Sequence, residues 1–423
     1  MTQYKMAKKY FGIDFGTSNS AVGVFDGTNN ILIPVESSEI TIPSAIFYNS
    51  DNTTITFGQA AITEYLGGTD GRLMRSLKSI LGTSLIDETT RIGNINVSFK
   101  VIIGSFMSVL KAKAEEYAQN DIDSVVLGRP IRFNDDDDKA DLQAQQQLEL
   151  IARNQGFKNI VFQYEPVAAV LNYEQSINKE EIALVIDIGG GTSDFSIIRL
   201  TPINKQTKNK VPNVLANSGI HIGGTDFDRL FSFAQVMPYF GLNSLLKPKN
   251  LIVPNHIFID LATWHRINLL YDRKTEKLID EIYRYSQSPE IIYRLVHIIK
   301  MRRGHDLAIG IEKAKIELTK NLETTLDLSF IESDDYLMLS LNQLNSSIRK
   351  NVENIATKIK NIMKDAAINS NNIATVFLTG GSTSLPLVRN MINNLFPMSK
   401  IVTGDLFGSV GLGLAIEAKR RFQ

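Results

Sequence analysis

The chain holds no cysteine in 423 residues. Disulfides, thiolate metal sites and cysteine nucleophiles are therefore excluded. Net charge is absent too: 45 Lys and Arg balance 45 Asp and Glu. No broad field draws such a chain to nucleic acid or to an acidic membrane. No uncharged apolar run approaches bilayer-spanning length, and Met1 to Lys9 lack the apolar core of a signal peptide. These absences lead us to expect a cytoplasmic protein without nucleic-acid or membrane partners. The N-x-S/T triplets at Asn52, Asn96 and Asn345 are then chance matches. No G-x-x-x-x-G-K-[ST] sequence occurs, which excludes the P-loop, and Gly411-Leu412-Gly413 lacks the third glycine of the dinucleotide fingerprint. The five histidines show no H-E-x-x-H spacing. The acidic run Asn134 to Asp138 lacks the glycine and closing glutamate of a calcium loop, and reads instead as a solvated cap before a helix at Lys139.

What is present is ordinary in bulk, with 43% hydrophobic and 21% charged residues, and long enough for two or three domain-sized cores. Two acidic glycine turns stand half a chain apart: Asp14-Phe15-Gly16-Thr17-Ser18 and Asp187-Ile188-Gly189-Gly190-Gly191-Thr192-Ser193-Asp194. Each follows an apolar run and precedes another strand-like run, Ala21 to Phe25 and Phe195 to Leu200. Helices are expected over 103–119, 139–155, 166–174, 311–319, 346–367 and 408–421. Strands are expected at 11–14, 31–35, 45–48, 125–127, 161–164 and 376–379. Alternating strands and helices argue an α/β fold in two halves. The region 236–303 reads as less regular, with Pro238, Pro248, Pro254 and Pro289 as breaks.

Glycine turns at strand ends let backbone N–H groups approach an anion without Cβ interference. Three occur: Gly16-Thr17-Ser18, Gly189-Gly190-Gly191-Thr192 and Gly380-Gly381-Ser382-Thr383. Asp14 and Asp187 end equivalent strands, and two convergent carboxylates repel unless a cation separates them. Mg²⁺ suits that place, because it keeps most of its waters and uses few carboxylates together with phosphate oxygens.

These residues resemble a known family. Gly12 to Ser18, Asp187 to Asp194 and Leu378 to Pro386 are similar to the two phosphate motifs and the adenosine motif of the actin-like ATPases. Within that superfamily they look most like the nucleotide-binding domain of the 70-kDa heat-shock, DnaK-like chaperones, with a closer likeness to short YegD-type members. Tyr164-Glu165-Pro166-Val167-Ala168-Ala169 resembles the family's first connecting helix, and Gly223-Gly224-Thr225-Asp226-Phe227-Asp228 its second-lobe loop. The resemblance implies a two-lobed, ribonuclease-H-like fold with duplicated βββαβα cores. Lobe I would span 1–180 and lobe II 181–423, with an enlarged insertion at about 236–303 and the 408–421 helix packing back near a hinge at Gly408 and Gly411.

The same resemblance implies roles. ATP or ADP with Mg²⁺ would bind in the cleft between lobes and be hydrolysed slowly. Asp14 and Asp187 would hold the metal through water, and Thr17 and Thr192 would contact phosphate oxygens. Lys78 falls where the family places a lysine beside the γ-phosphate, and Glu165 where it places an acid near the attacking water. Glu312 and Lys315 would hydrogen-bond ribose and Thr319 the adenine edge. The two arginines between which the family stacks adenine are Ile316 and Ser384 here, which predicts weaker nucleotide binding. The chain ends at Gln423, so no peptide-binding domain is expected. A monomer is expected, with lobe closure read by a protein partner docking on the 236–303 insertion, whose Trp264, Tyr271, Tyr283, Tyr285 and Tyr293 otherwise serve an enlarged core. Three other readings stay open: a small-molecule kinase of the superfamily, a nucleotide-sensing module without turnover, and a filament former that would sediment with ATP, which nothing in the sequence requires.

Overall fold

A computed structural model describes residues 8–52, 54–92, 95–134, 137–174, 176–202, 213–403 and 408–423. The acidic residues Asp135 and Asp136, and most of the polar stretch after Thr201, lie outside that set. The chain forms two compact units. One comprises Met1–His221, Lys358–Thr383 and Phe396–Gln423, the other Ile222–Thr357 and Ser384–Leu395.

The first unit is built on two principal sheets. In chain order the strands of the first are β1 (Tyr10–Phe15), β2 (Asn19–Phe25), β3 (Asn30–Leu32), β4 (Thr41–Pro43), β5 (Ser124–Arg129) and β6 (Asn159–Tyr164). Those of the second are β7 (Glu181–Ile188), β8 (Ser193–Leu200), β9 (Asn213–Ile220), β10 (Ile373–Thr379) and β11 (Lys400–Thr403). The first sheet runs β6-β5-β1-β2-β3, with β4 beside β2, and the second β11-β10-β7-β8-β9. In each, three strands are parallel and the next two antiparallel. The parallel strands are nearly continuous apolar runs, as strands covered on both faces must be. Apart from β4, which has no counterpart in the second sheet, the duplication expected from the two acidic turns is therefore present, and it places Asp14 and Asp187 at matching positions, one residue before the ends of β1 and β7.

Helices α1 (Phe99–Ala118) and α2 (Asp138–Asn154) cover the first sheet, burying Ile103, Phe106, Leu110, Leu148 and Ile151. Asp137 Oδ1 accepts the backbone N–H groups of Lys139 and Ala140 at 2.8 and 3.0 Å. The end of the acidic run thus acts as the helix cap its sequence suggests. Helix α3 (Glu165–Glu174) packs Val167, Val170 and Leu171 against β7, β8 and β10. It begins at Glu165, with Pro166 still in the first turn where no N–H is needed. The helix Ser409–Phe422 lies on β1, β2 and α3 at very short range. A Cβ on Gly413 would fall 1.8 Å from the Ala168 carbonyl oxygen, and one on Gly23 would fall 2.0 Å from that of Gly411. Gly411 and Gly413 are there for close packing.

The second unit is mainly helical, and its 236–303 region is more regular than the prolines suggest. Pro254 caps the helix Asn255–Leu261, Pro289 opens the helix Pro289–Lys300, Pro238 sits in a 3₁₀ turn, and Pro248 lies in the turn of a small hairpin. All but the last mark element starts, where a missing N–H breaks no ladder. With Arg273–Tyr285 these helices bury Phe258, Ile267, Leu270, Ile279, Ile282, Leu295 and Ile298. The region forms a packed core, with Trp264 packed edge-on against buried His305 at 4.7 Å. No helix among the described residues is long and apolar enough to cross a membrane.

Candidate functional site

The phosphate-type residues of the first unit converge. Lys78 sits in a 3₁₀ turn, Leu77–Ile80, entered through Ser76 in the left-handed conformation at φ 59°. That turn carries the lysine inward: its side chain is 7% exposed, and Nζ lies 2.5 Å from Glu165 Oε1 at the start of α3. The exposed surface lysine that its sequence alone would suggest is absent. Asp14 and Asp187 share the same enclosure. Burial, helped by the negative charges of Glu165 and Asp187 and opposed by Lys78, pushes the Asp14 carboxyl up to about 8. Burial and Glu165 raise Asp187 to about 6, with Lys78 and a hydrogen bond from Thr379 acting the other way. Burial alone would lower the Lys78 ammonium, but Glu165, Asp14 and Asp187 hold it above its ordinary value. Three carboxylates thus share one ammonium, and the enclosure is short of positive charge.

The two acidic turns touch. A Cβ on Gly190 would fall 2.1 Å from Ser18 Oγ, so only glycine lets the second turn close over the first. The first turn is braced from below: Ser44 Oγ donates to the Gly16 carbonyl at 2.7 Å, Gly16 N donates to Ser20 Oγ at 3.3 Å, and the two hydroxyls lie 2.9 Å apart. In the second, Gly189 N donates to the Thr192 carbonyl at 2.9 Å, and the Thr192 hydroxyl to Asp194 Oδ2 at 3.1 Å. Gly191 faces open space. The third turn joins them through Gly380, which holds φ 76° and whose Cβ would lie 2.7 Å from Asp187 Oδ1. Thr383 closes that turn by bonding to the Gly380 carbonyl, and Gly381 and Ser382 complete it. A cleft in this unit is lined by Pro130, Arg132, Glu165, Asp187, Asp194 and Asn217 among others.

The nucleoside-type residues lie in the second unit. Gly223 precedes the helix Gly224–Phe231, and its N–H donates to Asp226 Oδ2 at 3.1 Å. Lys315, on the helix Gly304–Glu317, is buried and points at that loop: Nζ is 2.8 Å from Asp228 Oδ1 and 3.3 Å from the Gly224 carbonyl. Its charge is spent inside the protein. Glu312 is half-buried one turn earlier, and the Thr319 hydroxyl donates to the Ile316 carbonyl at 2.7 Å. Ile316 itself is 55% exposed. Ser384 begins the second unit's 384–395 segment.

Sequence reasoning missed the pairing of Asp228, and it missed Thr379 and the Ser20–Ser44 brace. Asp228 closes the Gly223–Asp228 loop segment that the sequence singles out, but its pairing with buried Lys315 is seen only in the structure. The other three carry no signal beyond being small hydroxyl residues near turns.

The Hsp70 protein family model matches residues 10–105, 88–236 and 299–419. The chain belongs to the Hsp70 family. It is an Hsp70-like nucleotide-binding domain with the α/β fold of the actin-like ATPase superfamily. It is 28% identical over 418 residues to the chaperone protein DnaK of Thermosipho melanesiensis, covering 96% of this chain and 58% of that one. It is 25% identical to DnaK of Halobacterium salinarum over 417 residues, at 97% and 56% coverage. The mitochondrial heat shock protein SSC3 of Saccharomyces cerevisiae is 25% identical over 443 residues, at 98% and 58%. The chain spans less than three-fifths of the length of these relatives. Residues 237–298 fall between the segments matched by the Hsp70 family model.

Among the described residues, no three His, Asp or Glu side chains are grouped to chelate an ion directly. The Hsp70-type donor set nonetheless fits a hydrated divalent cation. Two half-buried carboxylates flank bare glycine turns, and Lys78, the one ammonium facing them among the described residues, is already shared among three acids. A cation held through water and phosphate oxygens needs no third protein ligand.

Proposed function

We propose that this Hsp70-family domain binds Mg-ATP in its first unit, against the two touching glycine turns, and hydrolyses it slowly to ADP and phosphate. The observation that carries the reading is the buried Lys78–Glu165 pair, 2.5 Å apart, enclosed with Asp14 and Asp187. An ion pair removed from water is costly to keep, and charge repulsion makes two further acids costlier still. An incoming divalent cation relieves the repulsion, and it brings the polyphosphate in as a partner for the Lys78 ammonium.

Phosphoryl transfer asks a protein for positioning and charge neutralisation more than for covalent help. Asp14 and Asp187 would hold Mg²⁺ through its waters. The ion, when bound, supplies charge neutralisation to the phosphate oxygens. The turns Gly16-Thr17-Ser18 and Gly189-Gly190-Gly191-Thr192 offer backbone N–H groups, and the Thr17 and Thr192 hydroxyls add donors. Lys78 neutralises charge on the transferred group. Glu165, held by Lys78, orients a water and accepts its hydrogen bond. Gly380, Gly381 and Ser382 close the side next to Asp187. Within the second unit, Glu312, Lys315, Thr319, Gly223, Gly224 and Ser384 are the residues that the family resemblance assigns to the nucleoside, and Lys315, its ammonium paired with Asp228, shapes the Gly223–Gly224 loop.

The expected result for Lys78→Ala is retained ATP binding with phosphate release depressed by about 10²-fold or more, the scale for losing a transition-state donor. Single-turnover phosphate release measures it, and near-normal turnover removes the reading. A second reading, nucleotide sensing without turnover, is favoured by exposed Ile316 and by Ser384 in place of stacking arginines. Wild-type protein that binds ATP measurably yet releases no phosphate would establish it. Cycling between nucleotide states would be read by a protein partner at the 236–303 region, in a cytoplasmic setting.

A further inference from the structure

We propose that the second unit carries two complementary faces through which copies of this chain join head to tail, independently of nucleotide. The first face is the hairpin Leu245–Leu246 and Leu251–Ile252, inside the stretch that the Hsp70 family model leaves unmatched. One side of Leu245–Leu246 is closed by backbone bonds: Lys247 N to the Tyr285 carbonyl at 2.7 Å and Gln287 N to the Leu245 carbonyl at 2.9 Å. The other side pairs with Leu251–Ile252, which has no further strand neighbour among the described residues. This open edge is aliphatic: Leu251 is 60% and Ile252 59% exposed. Lys247 and Lys249, exposed in the turn, have no ion-pair partner among the described residues. Edge strands are normally blunted by shortness, charge, proline within the strand or a bulge, and this two-residue edge is short, so its exposed side chains more than its backbone offer the contact. Here the charge and the proline are confined to the turn.

The second face is the outer side of the hairpin Glu323–Asp327 and Tyr336–Ser340. Cross-strand pairs Thr325–Met338 and Asp327–Tyr336 point outward with Glu323, while Thr324, Leu326 and Leu339 are buried beneath. Tyr336 and Met338 are exposed, adjoining Leu322 is 76% exposed, and Glu323 and Asp327 have no cationic partner among the described residues. One face is therefore aliphatic with lysines beside it, the other aromatic and thioether with carboxylates beside it. Two copies related by a two-fold axis through either face would set like charges against each other. Only the unlike pairing matches apolar to apolar and cation to anion, and such heterologous contacts propagate instead of closing at two. This departs from the monomer expected from the sequence.

Sedimentation velocity of the full chain without nucleotide, from micromolar to hundreds of micromolar, tests it. The expected result is a sedimentation coefficient that climbs past the dimer with concentration and falls back in high salt. Ile252→Glu and Met338→Lys, each shown folded by circular dichroism, should each weaken self-association about tenfold or more. An equimolar mixture should form a heterodimer and stop there, because each variant keeps one intact face. A concentration-independent monomer for the wild type, unaltered association of either variant, or a mixture that fails to pair would overturn the proposal.

Discussion

The first unit repeats itself; the second does not. Two sheets share a five-strand order and carry matching aspartates, glycine turns and hydroxyl residues, and Ser18 of one turn packs into the space that Gly190 of the other leaves open. In the second unit the comparable residues are brought together only in part. Lys315 meets Gly224, but its charge goes to Asp228, and Ile316 offers an aliphatic side chain to solvent. The contrast teaches that charge placement at the phosphate-type end is enforced by two copies of one backbone device. The nucleoside-type end rests on a single helix face, which substitutions alter freely.

The largest expected break in this comparison is Lys78→Ala, the loss of about 10²-fold in phosphate release set out above. The corresponding change in the second unit is Lys315→Ala. It leaves Asp228 in a largely buried site without its cation, and should cost about 2–3 kcal/mol of stability, below the scale for a fully buried pair because Asp228 keeps some exposure. Denaturant titration reads that loss, and phosphate turnover per folded molecule should change little. A larger effect on turnover than on stability would erase the distinction between the units.

Proton linkage gives a smaller and more specific effect. A carboxyl whose pKa rises on folding favours the folded state fully below its unfolded value and loses that contribution as pH climbs through its folded value. Asp187 at about 6 and Asp14 at about 8, both from an ordinary 3.8, start the loss near that value and complete it near 6 for Asp187 and near 8 for Asp14. Without divalent ions, thermal stability should decline across that window, and Asp14→Asn should flatten the decline. Added Mg²⁺ should do the same in the wild type and bind more tightly as pH rises, since it competes with protons. A flat profile in ion-free wild type would contradict this. The smallest effect is Ile316→Arg, which should tighten nucleotide binding by about 0.5–2 kcal/mol if a guanidinium stacks on the base. Isothermal titration would detect it.

Much of the candidate site could be read directly, because a strand ending in Asp followed by glycines is a local pattern that needs no knowledge of neighbours. The helix limits moved by a few residues at most positions, as with 304–317 against the expected 311–319, since the Gly304–Leu307 turn has no periodic apolar signal. The 236–303 region was misread for a definite reason. Proline counts as a break in a linear pattern, whereas here it mostly opens elements. The pairing of Asp228 was overlooked because a lysine's partner 87 residues away leaves no trace in spacing.

The sequence by itself determined the α/β alternation, the duplicated acidic turns and the Hsp70 relationship, because strand periodicity and glycine tolerance act over a few neighbouring residues. Tertiary structure alone decided that Lys78 is buried against Glu165, that Ser18 fills the space Gly190 leaves, and that Lys315 is neutralised by Asp228. Burial and charge pairing depend on which distant segments share a low-dielectric enclosure, and no local pattern carries that information.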